Sequence, residues 1–196
     1  EDVETLNQNA ALGLYHITKL SFAQLGKLLD QYALLRSGSA LGNGCGPLII
    51  SMPGSHLDGH PRPKIAVPGL GTTAFHLFRF YLDDQFPDLT PDILPVTFDQ
   101  IMPMVKAGDA DFGLVIHEGR FVYQEQGFEL IADLGLWWET LTQLPIPLGC
   151  IAIRRDIPAD TARDIETLIR QSINHAFAHP DMAADYIRSH AQELDD

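Results

Sequence analysis

Basic residues are scarce in this chain. Lys and Arg number 13 against 26 Asp and Glu, a formal net charge of −13 over 196 residues. Phosphate backbones and anionic lipid surfaces both recruit Lys and Arg, so neither nucleic acid nor a polybasic membrane contact is expected as a partner. Cysteine is scarcer still. Cys45 and Cys150 are too few for a disulfide framework; they read either as one bridge or, as expected in a reducing cytosol, as two free thiols. Long apolar runs are missing as well. The longest uncharged stretch, Ser37 to Leu57, holds five Gly and two Pro, which excludes a membrane helix there. No signal-peptide pattern opens the chain. Its first residue is Glu1 rather than Met, at what reads as a helix start, so a fragment or a processed product is expected.

What is present is ordinary for a globular protein: 45% hydrophobic and 20% charged residues. A chain of this length buries roughly 70% of its unfolded surface, so its core needs no staples. Helical and strand signals alternate. Val3, Leu6 and Ala10 fall at helical spacing behind Asp2 and Glu4, with Gly13 as the stop. Tyr15–Leu20 reads as a strand, and Ser21 as the cap of a helix with Phe22, Leu25, Leu28 and Leu29 on its inner face. Further strands are expected at Tyr32–Arg36, Pro47–Met52, Lys64–Pro68, Asp92–Phe98, Asp111–Ile116, Phe128–Asp133 and Leu148–Arg154. Between them, Thr72 or Thr73 caps a helix bearing Phe75, Phe78 and Leu82, and Asp99 caps one bearing Ile101, Met104 and Val105. A helix carrying Trp137 and Trp138 follows, and after Asp156 the pattern is helical to the end.

Such alternation implies an α/β fold with a largely parallel sheet. The Gly-, Pro- and His-rich loop Pro53–Pro63 reads as a linker, and together with Pro145–Pro147 it brackets a block that two crossings would connect to the rest. The expected organisation is a hinged pair of lobes: residues 1–60 plus 149–196 as lobe one and 61–148 as lobe two. The cleft between them is the default ligand site.

Four polar segments stand at strand ends or helix starts: Thr18–Ser21, Arg36–Pro47, Gly69–Thr73 (GLGTT) and His117–Arg120 (HEGR). Ligands of open parallel sheets bind beyond the carboxyl ends of the strands, where such segments meet. GLGTT lacks the third Gly of a dinucleotide fingerprint and the Gly-Lys-Ser/Thr of a phosphate loop. It reads either as an anion site at a helix start or as a plain turn with a Thr cap. Lys19 and Ser21 could meet a carboxylate or hydroxyl, or be a solvated Lys and an N-cap. His117 ends an apolar strand, where it suits proton transfer near neutral pH or a hydrogen-bonded place at a domain edge. The pairs His56/His60 and His175/His179 each lack a third metal ligand at a suitable spacing and read as surface residues.

Taken together, these segments resemble 1,4-dihydroxy-6-naphthoate synthase, a late enzyme family of the futalosine route to menaquinone. The strings that carry the resemblance are EDVETLN, TKLS, LRSGSALGNGCGPL, AVPG followed by TTA, ILPVTFDQIMPMV, GLVIHEGRF, DLGLWWE, LPIPLG and AHPDMAADYIRSHAQEL, in family order over essentially the whole chain. The resemblance implies a two-lobed fold like the type II periplasmic binding proteins, with a hinged cleft. It implies a cytoplasmic bacterial lyase that releases 1,4-dihydroxy-6-naphthoate from cyclic dehypoxanthine futalosine, a small-molecule aromatic carboxylate substrate, with no metal or organic cofactor. It implies His117 as general base, with Lys19, Leu20, Ser21, Thr73 and Ala74 lining the substrate site. Family chains begin earlier and continue past Asp196, so lobe one is expected to be truncated at both ends. Leu70 and Gly71 depart from the bulkier polar residues of the family.

Two rival readings share the fold: chorismate dehydratase of the same pathway, and a solute-binding protein without catalysis. A binder of aromatic carboxylates unrelated to menaquinone is a third. The charge is also uneven. Residues 14–79 carry six basic residues and two acidic ones, a local +4, which leaves −17 for the remainder. The basic stretch contains most of the segments assigned to the cleft, as an anionic substrate requires.

Overall fold

A computed structural model describes residues 2–190. Glu1 and residues 191–196, the outermost parts of the ranges assigned to lobe one, lie outside the described residues, as does the close of the last family string at Leu194.

The chain opens with helix α1 (Val3–Ala11), capped by Asp2, whose carboxylate accepts from Glu4 N at 2.8 Å. Gly13 ends this segment in the left-handed region, at φ 68°. Strand β1 (Ile17–Ser21), helix α2 (Phe22–Lys27), and strands β2 (Tyr32–Leu34) and β3 (Ala40–Gly42) follow. Strand β4 (Leu48–Ser51), β5 (Lys64–Val67), helix α3 (Thr73–Gln85), β6 (Asp92–Pro95), helix α4 (Ile101–Ala107), β7 (Phe112–Val115), the short helix α5 (Gly119–Val122) and β8 (Glu129–Asp133) come next. Helix α6 (Leu134–Thr142), the long strand β9 (Ile146–Arg154), and helices α7 (Ala159–Ala178) and α8 (Asp181–His190) complete the described chain.

Two sheets result. In the first, β1, β2 and β3 all pair antiparallel with β9, with Thr18 opposite Ala152 and Leu34 opposite the same Ala152 on the other edge. The second has the order β6-β5-β7-β4-β8. Only its β5–β6 and β5–β7 pairs are parallel; β4 runs antiparallel to both β7 and β8. The largely parallel sheet expected from the alternation is therefore wrong for the first sheet and half right for the second. One long strand, β9, returns through the first sheet and imposes an antiparallel partner on each neighbour.

The second sheet has helices on both faces, which explains its nearly continuous apolar strands. Ile49, Ile65, Val67, Phe112 and Leu114 face Phe75, Phe78 and Leu82 of α3. The alternate residues Leu48, Ile50, Ala66 and Val115 face Ile101, Met102 and Val105 of α4. Phe78 is completely buried, and such a side chain contributes about 2–3 kcal/mol. The first sheet has a smaller core of Ala10, Leu20, Leu25, Leu28, Tyr32, Cys150 and Ala152.

Several sequence expectations shift. Leu48–Ser51 falls in the range assigned to lobe one, yet it pairs in the second sheet. The loop Pro53–Pro63 therefore joins two strands of one sheet and is not the linker; its Leu57 is 2% exposed. The chain crosses between sheets at residues 43–47, at the end of the Gly-rich segment Arg36–Pro47, and returns before Ile146. Helix α2 ends at Lys27, leaving Leu29 53% exposed rather than on the inner face. Asp99 sits in a 3-10 turn and makes no cap; its carboxylate accepts from Gln100 Nε2 instead. Helix α7 docks through Glu166, which accepts from Arg36 N at 2.8 Å, while Phe177 near its end lies at the surface.

Candidate active site

The candidate residues and their partners come from three places: α1 with the end of β1, the β5–α3 turn, and the turn after β7. Asn7 is the hub of the first. It is 1% exposed although it lies on an amphipathic helix. Its Nδ2 donates to Ser21 Oγ and to Glu4 Oε2, each at 3.1 Å, and its Oδ1 accepts from Ser21 N at 3.0 Å. Gln24 Nε2 reaches the Asn7 carbonyl at 3.4 Å. Ser21 thus occupies the N-cap position of α2 without capping it, because its hydroxyl is engaged by Asn7.

In the β5–α3 turn, Thr72 is the cap: its Oγ1 accepts from Phe75 N at 3.1 Å. Thr73 Oγ1 is free to act elsewhere and donates to Leu148 O of β9 at 2.9 Å, while Ala23 N approaches it at 3.4 Å. The turn does hold an anion, but an internal one. Both oxygens of Glu4 lie 3.1 Å from Gly71 N. Gly69 adopts φ 122°, and a Cβ there would stand 2.3 Å from Glu4 Cγ. Glycine is required at this position on both counts.

His117 follows β7 with φ 53°, one of two non-glycine residues at positive φ among those described. Such a conformation costs on the order of 1 kcal/mol and persists where surroundings fix it. Arg120 supplies part of that fixing. It donates to Asp133 Oδ2 at 2.6 Å and to Gly46 O at 2.9 Å, tying the HEGR turn to the crossing segment. The imidazole meets Phe98 edge to face, ring centres 5.2 Å apart. It keeps a solvent-exposed edge, yet loss of water around it lowers its pKa from the usual histidine value; Glu118 and Asp2 oppose this and Lys19 adds to it. Neutral imidazole is the form this environment favours.

The sequence candidates therefore divide. Ser21 and Thr73 are buried and belong to one hydrogen-bonded region running from β1 to α3. Lys19, exposed, acts electrostatically on His117. Leu20 and Ala74 lie in cores, at 0% and 5% exposure, and Leu20 is paired with Cys150 in the β1–β9 ladder, so neither presents a surface to a ligand. A cavity of ≈ 360 Å³ lies beside this region, lined by Asp2, Glu4, Gly69, Leu70 and Thr97 among others. Sequence reasoning missed Glu4, Asn7 and Phe98. The available signal was Glu4-x2-Asn7, two polar residues one turn apart in a helix that otherwise reads as surface against core.

Among the described residues no group of three or more His, Cys, Asp or Glu is arranged to hold a metal ion. His175 and His179 stack on each other, and His60 packs on Phe112. Both cysteines are free; burial pushes the Cys150 thiol up to about 11. No helix among the described residues is long and apolar enough to cross a membrane.

A family model described as menaquinone biosynthesis matches residues 1–196. The chain belongs to that family. Two curated relatives are each named 1,4-dihydroxy-6-naphtoate synthase. The Thermus thermophilus protein is 45% identical over 197 residues, covering 100% of this chain and 69% of the relative. The Streptomyces coelicolor protein is 40% identical, covering 99% and 68%. A solved protein from Archaeoglobus fulgidus superposes with a TM-score of 0.88 at 36% identity, covering 100% of this chain and 70% of that one. The alkanesulfonate-binding protein of Xanthomonas axonopodis pv. citri shares the fold at a TM-score of 0.62 and 13% identity, covering 95% and 62%. The α/β fold is thus that of the type II periplasmic binding proteins, as the resemblance implied. The family places the chain in menaquinone biosynthesis, and its named relatives are enzymes.

Proposed function

We propose that the protein is a lyase that converts cyclic dehypoxanthine futalosine to 1,4-dihydroxy-6-naphthoate, with His117 as general base. The observation that carries the reading is the state of His117: an imidazole held at φ 53° on the β7 turn, open on one edge, with a lowered pKa. A neutral imidazole can accept a proton from substrate at neutral pH. The proton passes to the ring nitrogen, and the electron pair it leaves becomes a new ring double bond as the bond to the sugar-derived part breaks. That part departs with the bonding pair and takes up a proton, so that the bicycle becomes aromatic with no net change in redox state. Aromatisation supplies the driving force, so the protein's work is a base, orientation and a partner for the carboxylate.

Lys19 is the cation for that carboxylate, since it is exposed and close enough to influence His117. Ser21 and Thr73 border the site at the end of β1 and the start of α3, and the buried Leu20 and Ala74 support them from the cores beneath. The lobes close over the bound substrate and exclude water from the intermediate. In this reading the chemistry uses no metal or organic cofactor, takes place in the cytoplasm, and involves neither nucleic acid nor membrane. The expected lobes, residues 1–60 plus 149–196 and residues 61–148, are accordingly proposed with the first boundary moved to the crossing at residues 43–47, which puts β4 in the second. Incubation with cyclic dehypoxanthine futalosine and, separately, with chorismate tests the reading. Naphthoate from the first alone is expected; dehydration of chorismate would overturn it in favour of the sister enzyme, and ligand binding without turnover would favour a solute-binding protein.

A further inference from the structure

We infer that Glu4 is a positioning residue of the substrate site: its carboxylate is the resident anion of the Gly69–Gly71 turn, and it sets both Ser21 and the start of α3. This rests on the reading of the cleft as the substrate site. Helix α1 packs on β1 of the first sheet, whereas the Gly69–Gly71 turn leads from β5 of the second sheet into α3. Glu4 bridges the two. Its oxygens both lie 3.1 Å from Gly71 N, and Oε2 also accepts from Asn7 Nδ2 at 3.1 Å. The same Asn7 Nδ2 donates to Ser21 Oγ. One carboxylate thereby fixes the amide two residues before Thr73 and the amide group that orients the Ser21 hydroxyl.

The glycines are shaped for this occupant. A Cβ on Gly69 would lie 2.3–2.7 Å from the Glu4 side chain, and one on Gly71 would lie 2.9 Å from Glu4 Oε2. The departure from bulkier residues at Gly71 is accordingly a fit to Glu4, and an external carboxylate does not take the Gly71 amide while Glu4 holds it. Substrate carboxylate is left to Lys19. Asn7 cannot reverse its amide to suit a changed partner, because its Oδ1 is committed to Ser21 N.

The variants Glu4→Ala, Glu4→Asp and Glu4→Gln separate this role from plain stability. In the intact protein Glu4→Ala is expected to raise KM about 10- to 100-fold while kcat, which His117 governs, stays within about threefold. Glu4→Asp retains the charge but falls short of Gly71 and matches Glu4→Ala. Glu4→Gln keeps one oxygen for Gly71 N or Asn7 and gives an intermediate KM. Amide hydrogen exchange at Gly71 provides a readout independent of turnover: Glu4→Ala and Glu4→Asp accelerate it, and Glu4→Gln does so less. A KM within twofold of the parent in Glu4→Ala, or unchanged exchange at Gly71, overturns the inference. If the parent itself makes no naphthoate, the proposed reaction fails, and exchange at Gly71 still decides whether Glu4 holds the turn.

Discussion

Replacing Asn7 by Leu conserves volume and removes the hub between α1, β1 and α2. The loss can be worked from its partners. Ser21 N is buried and loses its acceptor, Ser21 Oγ loses its donor, and Glu4 Oε2 loses one of two donors. A buried polar group left unpaired costs about 1–3 kcal/mol, and more when the partner is charged. Glu4 is only partly buried and regains water, so two groups, about 2–6 kcal/mol, carry the effect. Burial of the new Leu returns about 1.5–3 kcal/mol. At midrange the net destabilisation is about 2 kcal/mol. With a urea m-value of about 2 kcal/mol/M the midpoint falls by about 1 M at unchanged m. Asn7→Asp supplies the electrostatic counterpart. A carboxylate there cannot donate and stands beside Glu4, so its folded pKa is raised; the variant is weakest at pH 7 and recovers as pH falls toward about 4, where the acid can donate. A midpoint within about 0.3 M of the parent for Asn7→Leu, or an Asn7→Asp deficit independent of pH, would refute the hub.

Other outcomes follow from the same geometry. His117 has a lowered folded pKa, so its charging opposes folding below that value and stability rises with pH until the unfolded pKa near 6.5 is passed; the acid limb of kcat/KM should accordingly lie below pH 6.5 and move upward in Lys19→Met, as pH–rate profiles will read. Arg120→Met leaves Asp133 and Gly46 O without their partner and should lower stability by about 2 kcal/mol in thermal unfolding, with Asp133→Ala adding in the double variant only the loss of the α6 cap to Leu136 N, about 1 kcal/mol. A Cβ on Gly46 would lie 2.6 Å from Gly135 Cα, a backbone atom that cannot yield cheaply, so Gly46→Ala should destabilise by about 1–3 kcal/mol in urea titration. Iodoacetamide at pH 8 should label half-buried Cys45 well before Cys150, whose thiol is buried and pushed up to about 11, as peptide mass mapping will show.

Element identity was legible where periodicity and caps agreed. Asp2 and Thr72 cap the helices that their spacing implied, and the apolar runs at Leu48–Ser51, Lys64–Val67 and Phe112–Val115 are the most covered strands of the molecule. Sheet membership was not legible. Leu48–Ser51 looks the same whether it pairs with β9 or with β7, because an apolar strand carries no mark of its partner. The linker was misplaced for a related reason: Pro53–Pro63 has linker composition, yet Leu57 anchors it to the core. At the site, the GLGTT sequence fits either an anion site or a plain turn with a Thr cap; the structure has both the Thr72 cap and an internal carboxylate, and the sequence carried no sign that this anion is Glu4, 67 residues upstream. His117 was marked by its place at a strand end. Its left-handed backbone and its contact with Phe98 depend on tertiary packing and left no local signal.

The central claim is proton abstraction by His117 in formation of the naphthoate. Its most direct test is the rate at which 1,4-dihydroxy-6-naphthoate appears from cyclic dehypoxanthine futalosine, measured for the protein and for His117→Ala at equal folded concentration. Positioned general bases contribute about 10²–10⁴ in rate. A fall in kcat of that size, with unchanged circular dichroism and substrate still bound, is the predicted result. Turnover by His117→Ala within a few-fold of the parent would contradict it.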